Sequence, residues 1–174
     1  MRNIKVIFSE TDQELAEKLR CKSKKVSDRY LALALIFKII TCIIPSVTAC
    51  LIICAMVNKT SYDAVSVIIG LVSATTLFLI SFIFESIHHD YFANAMHYQF
   101  ITEHMQEISK YENSLMFSIS KTCPNAVIYN LPDGKYRCIK TVNNIPEDGD
   151  VIITVKENTD AKGRISLNWY AKTV

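Results

Sequence analysis

Apolar residues along this chain gather into two blocks, residues 31–57 and 64–87, each broken by a single charge, Lys38 in the first and Glu85 in the second. About 20 consecutive apolar residues in a helix cross the hydrocarbon of a bilayer, so each block alone predicts a membrane-spanning helix. Between them, Asn58, Lys59, Thr60, Ser61, Tyr62 and Asp63 have length only to reverse the chain, which predicts an antiparallel helical hairpin. The competing reading is a pair of core helices in a soluble bundle, and such helices rarely run so far without charge. Asn58-Lys59-Thr60 has the form of a glycosylation sequon, but so close to a membrane it carries little weight.

The flanks extend both helices. Thr11-Asp12-Gln13-Glu14 reads as a capping box, predicting a helix start near Asp12 and an amphipathic stem with Leu15, Leu19 and Val26 on one side. Lys18, Arg20, Lys22, Lys24, Lys25 and Arg29 precede the first block while the connecting loop offers only Lys59, so both termini are expected on the cytoplasmic side. Beyond the second block, Phe84, Ile87, Tyr91, Tyr98, Ile101, Met105 and Ile108 recur at spacings of three, four and seven, a heptad-like seam for packing on the stem or on other copies. His88, His89, His97 and His104 share this extension. They lack the spacing of a helical zinc motif and are read as solvated helix-surface residues, so no metal is expected.

From residue 113 the period changes from helical to alternating. Residues 164–170 place Ile165, Leu167 and Trp169 on one face and Arg164, Ser166, Asn168 and Tyr170 on the other, and residues 151–156 form the partner strand across a loop at 158–163. Residues 126–130 and 136–142 pair across Pro132-Asp133-Gly134, a turn signal in which Pro presets one dihedral and Gly tolerates positive φ. Residues 3–8 also alternate and could supply an edge strand to the same sheet. The expected fold class is membrane α + β: residues 1–30 a cytoplasmic segment and stem, 31–87 a transmembrane hairpin (31–57, 64–87), 88–112 a cytoplasmic helix, and 113–174 a small antiparallel β domain. A unit of about sixty residues is near the lower limit for a stable core, so completion by the cytoplasmic helices or by oligomerisation is expected.

Composition sharpens this in two places. A net charge of +2 is too small to indicate a nucleic acid polymer as partner. Three of the six cysteines, Cys42, Cys50 and Cys54, lie inside the first apolar block, which argues against a disulfide framework and treats them as small hydrophobes. The first block is too long for a cleaved signal peptide.

Within the spans, Thr41, Pro45 and Thr48 share one stripe and Ser66, Gly70 and Ser73 another. Such stripes let helices approach closely; a packing seam inside the hairpin and a polar path lined by several hairpins both remain open. Lys38 is expected to snorkel along its aliphatic stem to the headgroups. In the tail, Lys135, Arg137, Lys140, Lys156, Lys162 and Arg164 supply cations, and Trp169 and Tyr170 supply flat surfaces on which a base could stack; a solvated polar face with Trp169 in the core is the alternative. There is no Gly-rich phosphate loop, nucleophile elbow or zinc-spaced cysteine pair in the soluble part, so neither an enzyme nor a cofactor is expected.

The basic stem Arg20-Cys-Lys-Ser-Lys-Lys25, the hairpin, and the aromatic, His-rich run from Phe84 to Tyr98 resemble the SLATT group of two-helix membrane effectors found with bacterial nucleotide second-messenger defence systems. The resemblance covers roughly residues 12–112. With its β tail the chain is similar to the two-helix-plus-β effectors of CBASS-type and type III CRISPR defence. That resemblance implies a homo-oligomer in the bacterial inner membrane, with the lipid bilayer and a cyclic oligonucleotide as partners, that disrupts the membrane when the ligand binds the tail. Arg137, Lys140, Lys156, Arg164, Trp169 and Tyr170 are the candidate ligand contacts. The alternative is a non-lytic membrane adaptor whose β domain docks a protein partner; a holin-like pore is a third.

Overall fold

The computed structural model describes residues 3–57, 64–112, 114–161 and 163–174. Strand β1 (Ile4–Ile7) leads into helix α1 (Glu10–Val57); helix α2 (Ala64–Tyr111) is followed by strands β2 (Phe117–Ile119), β3 (Ala126–Asn130), β4 (Tyr136–Lys140), β5 (Val151–Thr159) and β6 (Ile165–Thr173). The six-residue link between the apolar blocks, with its sequon, and the cation Lys162 lie outside the described residues. Each helix is unbroken through its apolar block and its polar extension, α1 running through Pro45. Helix α1 starts two residues before the expected position because the capping box is Ser9 to Asp12: Asp12 N–H donates to Ser9 Oγ at 3.2 Å and Ser9 N–H to Asp12 Oδ2 at 2.8 Å.

The chain divides into two compact units, one of Met1–Arg20 with Met96–Val174 and one of Cys21–Ala95. In the first, the strands form two three-stranded sheets, β1-β5-β6 and β2-β3-β4. The expected single antiparallel domain is corrected in two respects. Strand β1 is the edge strand foreseen at the N-terminus, but it pairs parallel to β5, with Ile4 opposite Val151 and Ile7 opposite Thr154, so its sheet is mixed. The β3–β4 pair, Ala126 opposite Lys140 through Asn130 opposite Tyr136, gains a short antiparallel partner in β2 that the sequence pattern does not announce. The sheets meet at one parallel bridge, Thr141 to Trp169.

The core of this unit joins Val127, Tyr129, Ile139, Val151, Ile153, Leu167 and Trp169 from the strands to Tyr98, Ile101, Met105 and Ile108 from α2 and Ala16 from α1. The heptad-spaced residues after Tyr98 therefore pack on strands. The strands alone would leave one apolar face bare, and the helix ends cover it.

In the second unit the two helices lie antiparallel along a seam that advances three and four residues alternately, the left-handed coiled-coil geometry. Its least exposed positions include Ser27, Ala34, Thr41 and Thr48 on α1 and Ala74, Ser81, His88 and Ala95 on α2, each series stepping by seven. Larger rings fill the intervals: Tyr30 stacks on Tyr91 with centroids 6.2 Å apart, and Phe37 packs on Phe84 at 5.4 Å. A Cβ on Gly70 would lie 3.1 Å from Thr48 Oγ1, so the backbones approach closely there. Away from the seam, large apolar side chains such as Ile39, Ile53, Ile68, Leu79 and Ile83 are about 60% exposed. Both helices are long and apolar enough to cross a membrane, and of their most apolar windows 0% and 11% is buried.

Candidate functional site

The two sheets part on one side of the Thr141–Trp169 bridge and leave a cleft of about 430 Å³, inside the size range of small-molecule sites. Tyr136, Arg137, Cys138 and Lys140 of β4 line it, with His97, Phe100, Ile101 and His104 of α2 and Trp169 of β6. Strand β4 is the edge of its sheet. Thr141 N–H donates to Asn125 and Lys135 accepts from Leu131, so odd-numbered residues of β4 bond to β3. By alternation, the backbone groups of Tyr136, Cys138 and Lys140 point away from β3, along the open edge. On β6 the corresponding edge is already occupied: Val142 N–H donates to the Trp169 carbonyl at 2.9 Å, and His97 Nε2–H donates to the Leu167 carbonyl at 3.1 Å.

Beneath the cleft runs a polar chain. Tyr129 is fully buried, and its hydroxyl donates to Glu107 Oε2 at 2.8 Å while lying 2.7 Å from His104 Nδ1. Since the phenol proton goes to the carboxylate, the Tyr129 oxygen accepts from His104, which assigns the proton of neutral His104 to Nδ1. Arg137 closes the chain by a forked contact to Glu107, Nε to Oε1 at 3.1 Å and Nη2 to Oε1 at 3.0 Å. Burial, reinforced by the Glu107 carboxylate, pushes the Tyr129 phenol far up; burial holds His104 below its ordinary value; Glu107 raises Arg137. Burial also pushes the Cys138 thiol up, which keeps it protonated at neutral pH. The expectation of solvated histidines is therefore corrected for two of the four, His104, bonded into this chain, and His88, 2.8 Å from Ser27 Oγ, whereas His97 is exposed on the helix surface and also bonds the Leu167 carbonyl.

The candidate ligand contacts do not converge. Arg137, Lys140 and Trp169 reach the cleft, but the Arg137 charge is matched by Glu107. Lys156 lies over the Tyr170 ring at 5.4 Å, and the Thr154–Tyr170 pair puts that ring on the face of β5–β6 opposite Val155 and Trp169. Arg164 pairs with Asp160 at 2.6 Å in the hairpin loop. Among the described residues no ion pair involves Lys140, which makes it the strongest cation for an incoming anion at the cleft. Trp169 is 4% exposed and belongs to the core, so the stacking surfaces at the cleft are Phe100, 54% exposed, and Tyr136, 74% exposed.

Of the residues singled out in the spans, Thr41, Thr48 and Gly70 lie along the seam, while Pro45 faces outward. The hydroxyls of Thr41, Thr48 and Ser73 each donate to the carbonyl four residues back, and the side chain of Ser66 is outside the described residues. Lys38, expected to reach along its stem, has its Nζ 2.7 Å from Glu85 Oε2 on the neighbouring helix, a partner the sequence pattern does not pair with it. Phe100, His97 and Glu107 were missing from the candidate set. Their signal is the spacing of His97 and His104 on one helix face with Glu107 one turn on, which acquires meaning only once β3 and β4 are placed against that face. No family model matches the chain, and no curated protein or solved structure matches it either.

Proposed function

We propose that this chain is a two-span integral membrane protein that acts as a membrane-disrupting effector of bacterial antiviral defence, with the cleft between β4 and β6 as the sensing site for a cyclic oligonucleotide. The observation that carries this reading is the continuity of α2. One unbroken helix, Ala64–Tyr111, holds an apolar block whose side chains are largely exposed and, further along, the cleft residues His97, Phe100, Ile101 and His104. A ligand that shifts those residues acts on the same helix that enters the bilayer. Phe100 and Tyr136 offer π-faces to bases, and Lys140 offers charge to a phosphate.

The test is dye release from liposomes carrying the purified full chain, with cyclic di-, tri- and tetranucleotides added in turn. Release by one of them, lost in Lys140→Ala and Phe100→Ala, is the expected result. No release by any of them, from a chain that resists alkaline carbonate extraction, overturns the effector reading while leaving the membrane anchor intact.

The open backbone edge of β4 favours a second reading, a non-lytic membrane adaptor. Extended peptides add to such edges by main-chain hydrogen bonds, and a partner protein captured through β4, with no toxicity on overexpression of the chain, would support it.

A further inference from the structure

The last turns of α1 before its apolar block hold Lys22, Lys24, Lys25 and Arg29, all exposed, and none of them takes part in an ion pair among the described residues. At roughly 100° per residue, Lys22, Lys25 and Arg29 fall on one side of the helix, and Leu33, Ile36 and Ile40 continue the same column. All three apolar residues are exposed, Ile36 by 51%. With a rise of about 1.5 Å per residue, the cations span about 10 Å and the apolar positions a similar length beyond. Asp28, the acid of this segment, lies with Lys24 on a neighbouring face.

The rings mark a level on the same unit. Tyr30 stacks on Tyr91 one residue after Arg29, and the adjacent Phe92 is 51% exposed. Aromatic residues with one wet end collect where hydrocarbon meets headgroups. The Ser27–His88 and Tyr30–Tyr91 contacts bring His89, Asp90, Ala93 and Asn94 of α2 to that level, all exposed, and Asp90 is the one acid among them.

We infer that Lys22, Lys25 and Arg29, with the Leu33–Ile36–Ile40 column below them, form a docking surface for an anionic phospholipid, the cations holding the headgroup phosphate and the column its acyl chains. The surface rests on the membrane reading above but not on the nucleotide. Its role is to fix the depth and tilt of α1 in the leaflet, because the headgroup holds the start of the apolar block at the phosphate plane.

The experiment is native mass spectrometry of the purified full chain with equal amounts of phosphatidylglycerol and phosphatidylcholine. The expected result is preferential retention of the anionic lipid, by roughly fivefold for each cation engaged, reduced toward parity by the triple change Lys22→Gln, Lys25→Gln, Arg29→Gln and unaffected by Lys121→Gln, a change to an exposed cation between β2 and β3. Because the triple variant could misfold, the wild-type preference is also followed in about 0.5 M salt, where screening should reduce it. Equal retention of the two lipids by a chain that resists carbonate extraction overturns the headgroup surface alone. Release by carbonate overturns the membrane reading with it. Thermal stabilisation by inorganic phosphate as large as that by phosphatidylglycerol also overturns it, since the apolar column would then have no part.

Discussion

The Tyr129 hydroxyl, 2.8 Å from Glu107 Oε2, ties β3 to α2 at a point where the buried phenol has no water to fall back on. The bond serves two further groups, since the same oxygen accepts from His104 and the same carboxylate receives Arg137. Tyr129→Phe keeps the ring and removes the link, leaving a donor on His104 and a lone pair on Glu107 without their partner. The expected cost is about 1–3 kcal/mol of stability, read as a lowered Tm with retained secondary structure. A Tm equal to wild type would show that the chain of bonds is not made.

His104 gives the fold a pH dependence of known sign. Burial favours its neutral form, the nearby Arg137 charge adds to this, and Glu107 and Glu103 oppose it. The folded state therefore binds its proton less readily than the unfolded chain, whose imidazole titrates near about 6.5. Stability from this group is complete above that value and is lost as pH falls through it toward the depressed folded value. Thermal melts between pH 5 and 8 should show Tm rising with pH, more steeply in wild type than in His104→Gln. Identical slopes would remove His104 as the cause.

Lys38 and Glu85 should behave as a unit. Either Lys38→Met or Glu85→Met leaves one half-exposed charge without its partner, and each single variant is expected to lower the Tm in detergent. The double variant should recover part of the loss. Strictly additive losses would mean that the pair at 2.7 Å contributes nothing.

Gly70 tests the seam. A methyl there meets Thr48 Oγ1 at 3.1 Å, so Gly70→Ala asks for a small shift and Gly70→Ile for a large one. Overpacking of this kind costs about 1–3 kcal/mol. Gly70→Ile should destabilise the hairpin, and Thr48→Ala should relieve it in part. A neutral Gly70→Ile would place the contact elsewhere.

The helix cap is the smallest of these effects. Ser9→Ala removes the hydroxyl that receives Asp12 N–H, an expected loss of about 1 kcal/mol, whereas Thr11→Ala, at the position the sequence pattern favours, should cost less. The reverse order would restore Thr11 as the cap.

Much of the architecture is legible from local pattern. The two apolar blocks, the helices continuing beyond them, strand β3 and the Pro132-Asp133-Gly134 reversal each depend on neighbours in sequence, and Gly134 has the positive φ of 81° that such a turn uses. What escapes is set by partners distant in the chain. Nothing within residues 117–119 marks Phe117 as a strand residue until Tyr129 is opposite it, and nothing in Ile4 to Ile7 says that β5 will run parallel to it. The site suffers most. Arg137 and Arg164 look in sequence like free cations, and only the fold brings Glu107 to the one and a loop brings Asp160 to the other.

The seam of the hairpin has a repeat, and a repeat is ambiguous. Small residues recur at 27, 34, 41 and 48 on α1 and at 74, 81 and 95 on α2, so a slide of one heptad, about 10 Å, again sets small residues opposite 74 and 81. Three contacts have no counterpart one heptad away: His88 with Ser27, Lys38 with Glu85, and the close approach of Gly70 to Thr48. These act as pins in an otherwise periodic track, as a single polar residue fixes the register of a coiled coil. The pair of helices is thus held at one setting by a few contacts that do not repeat, set into a seam that does.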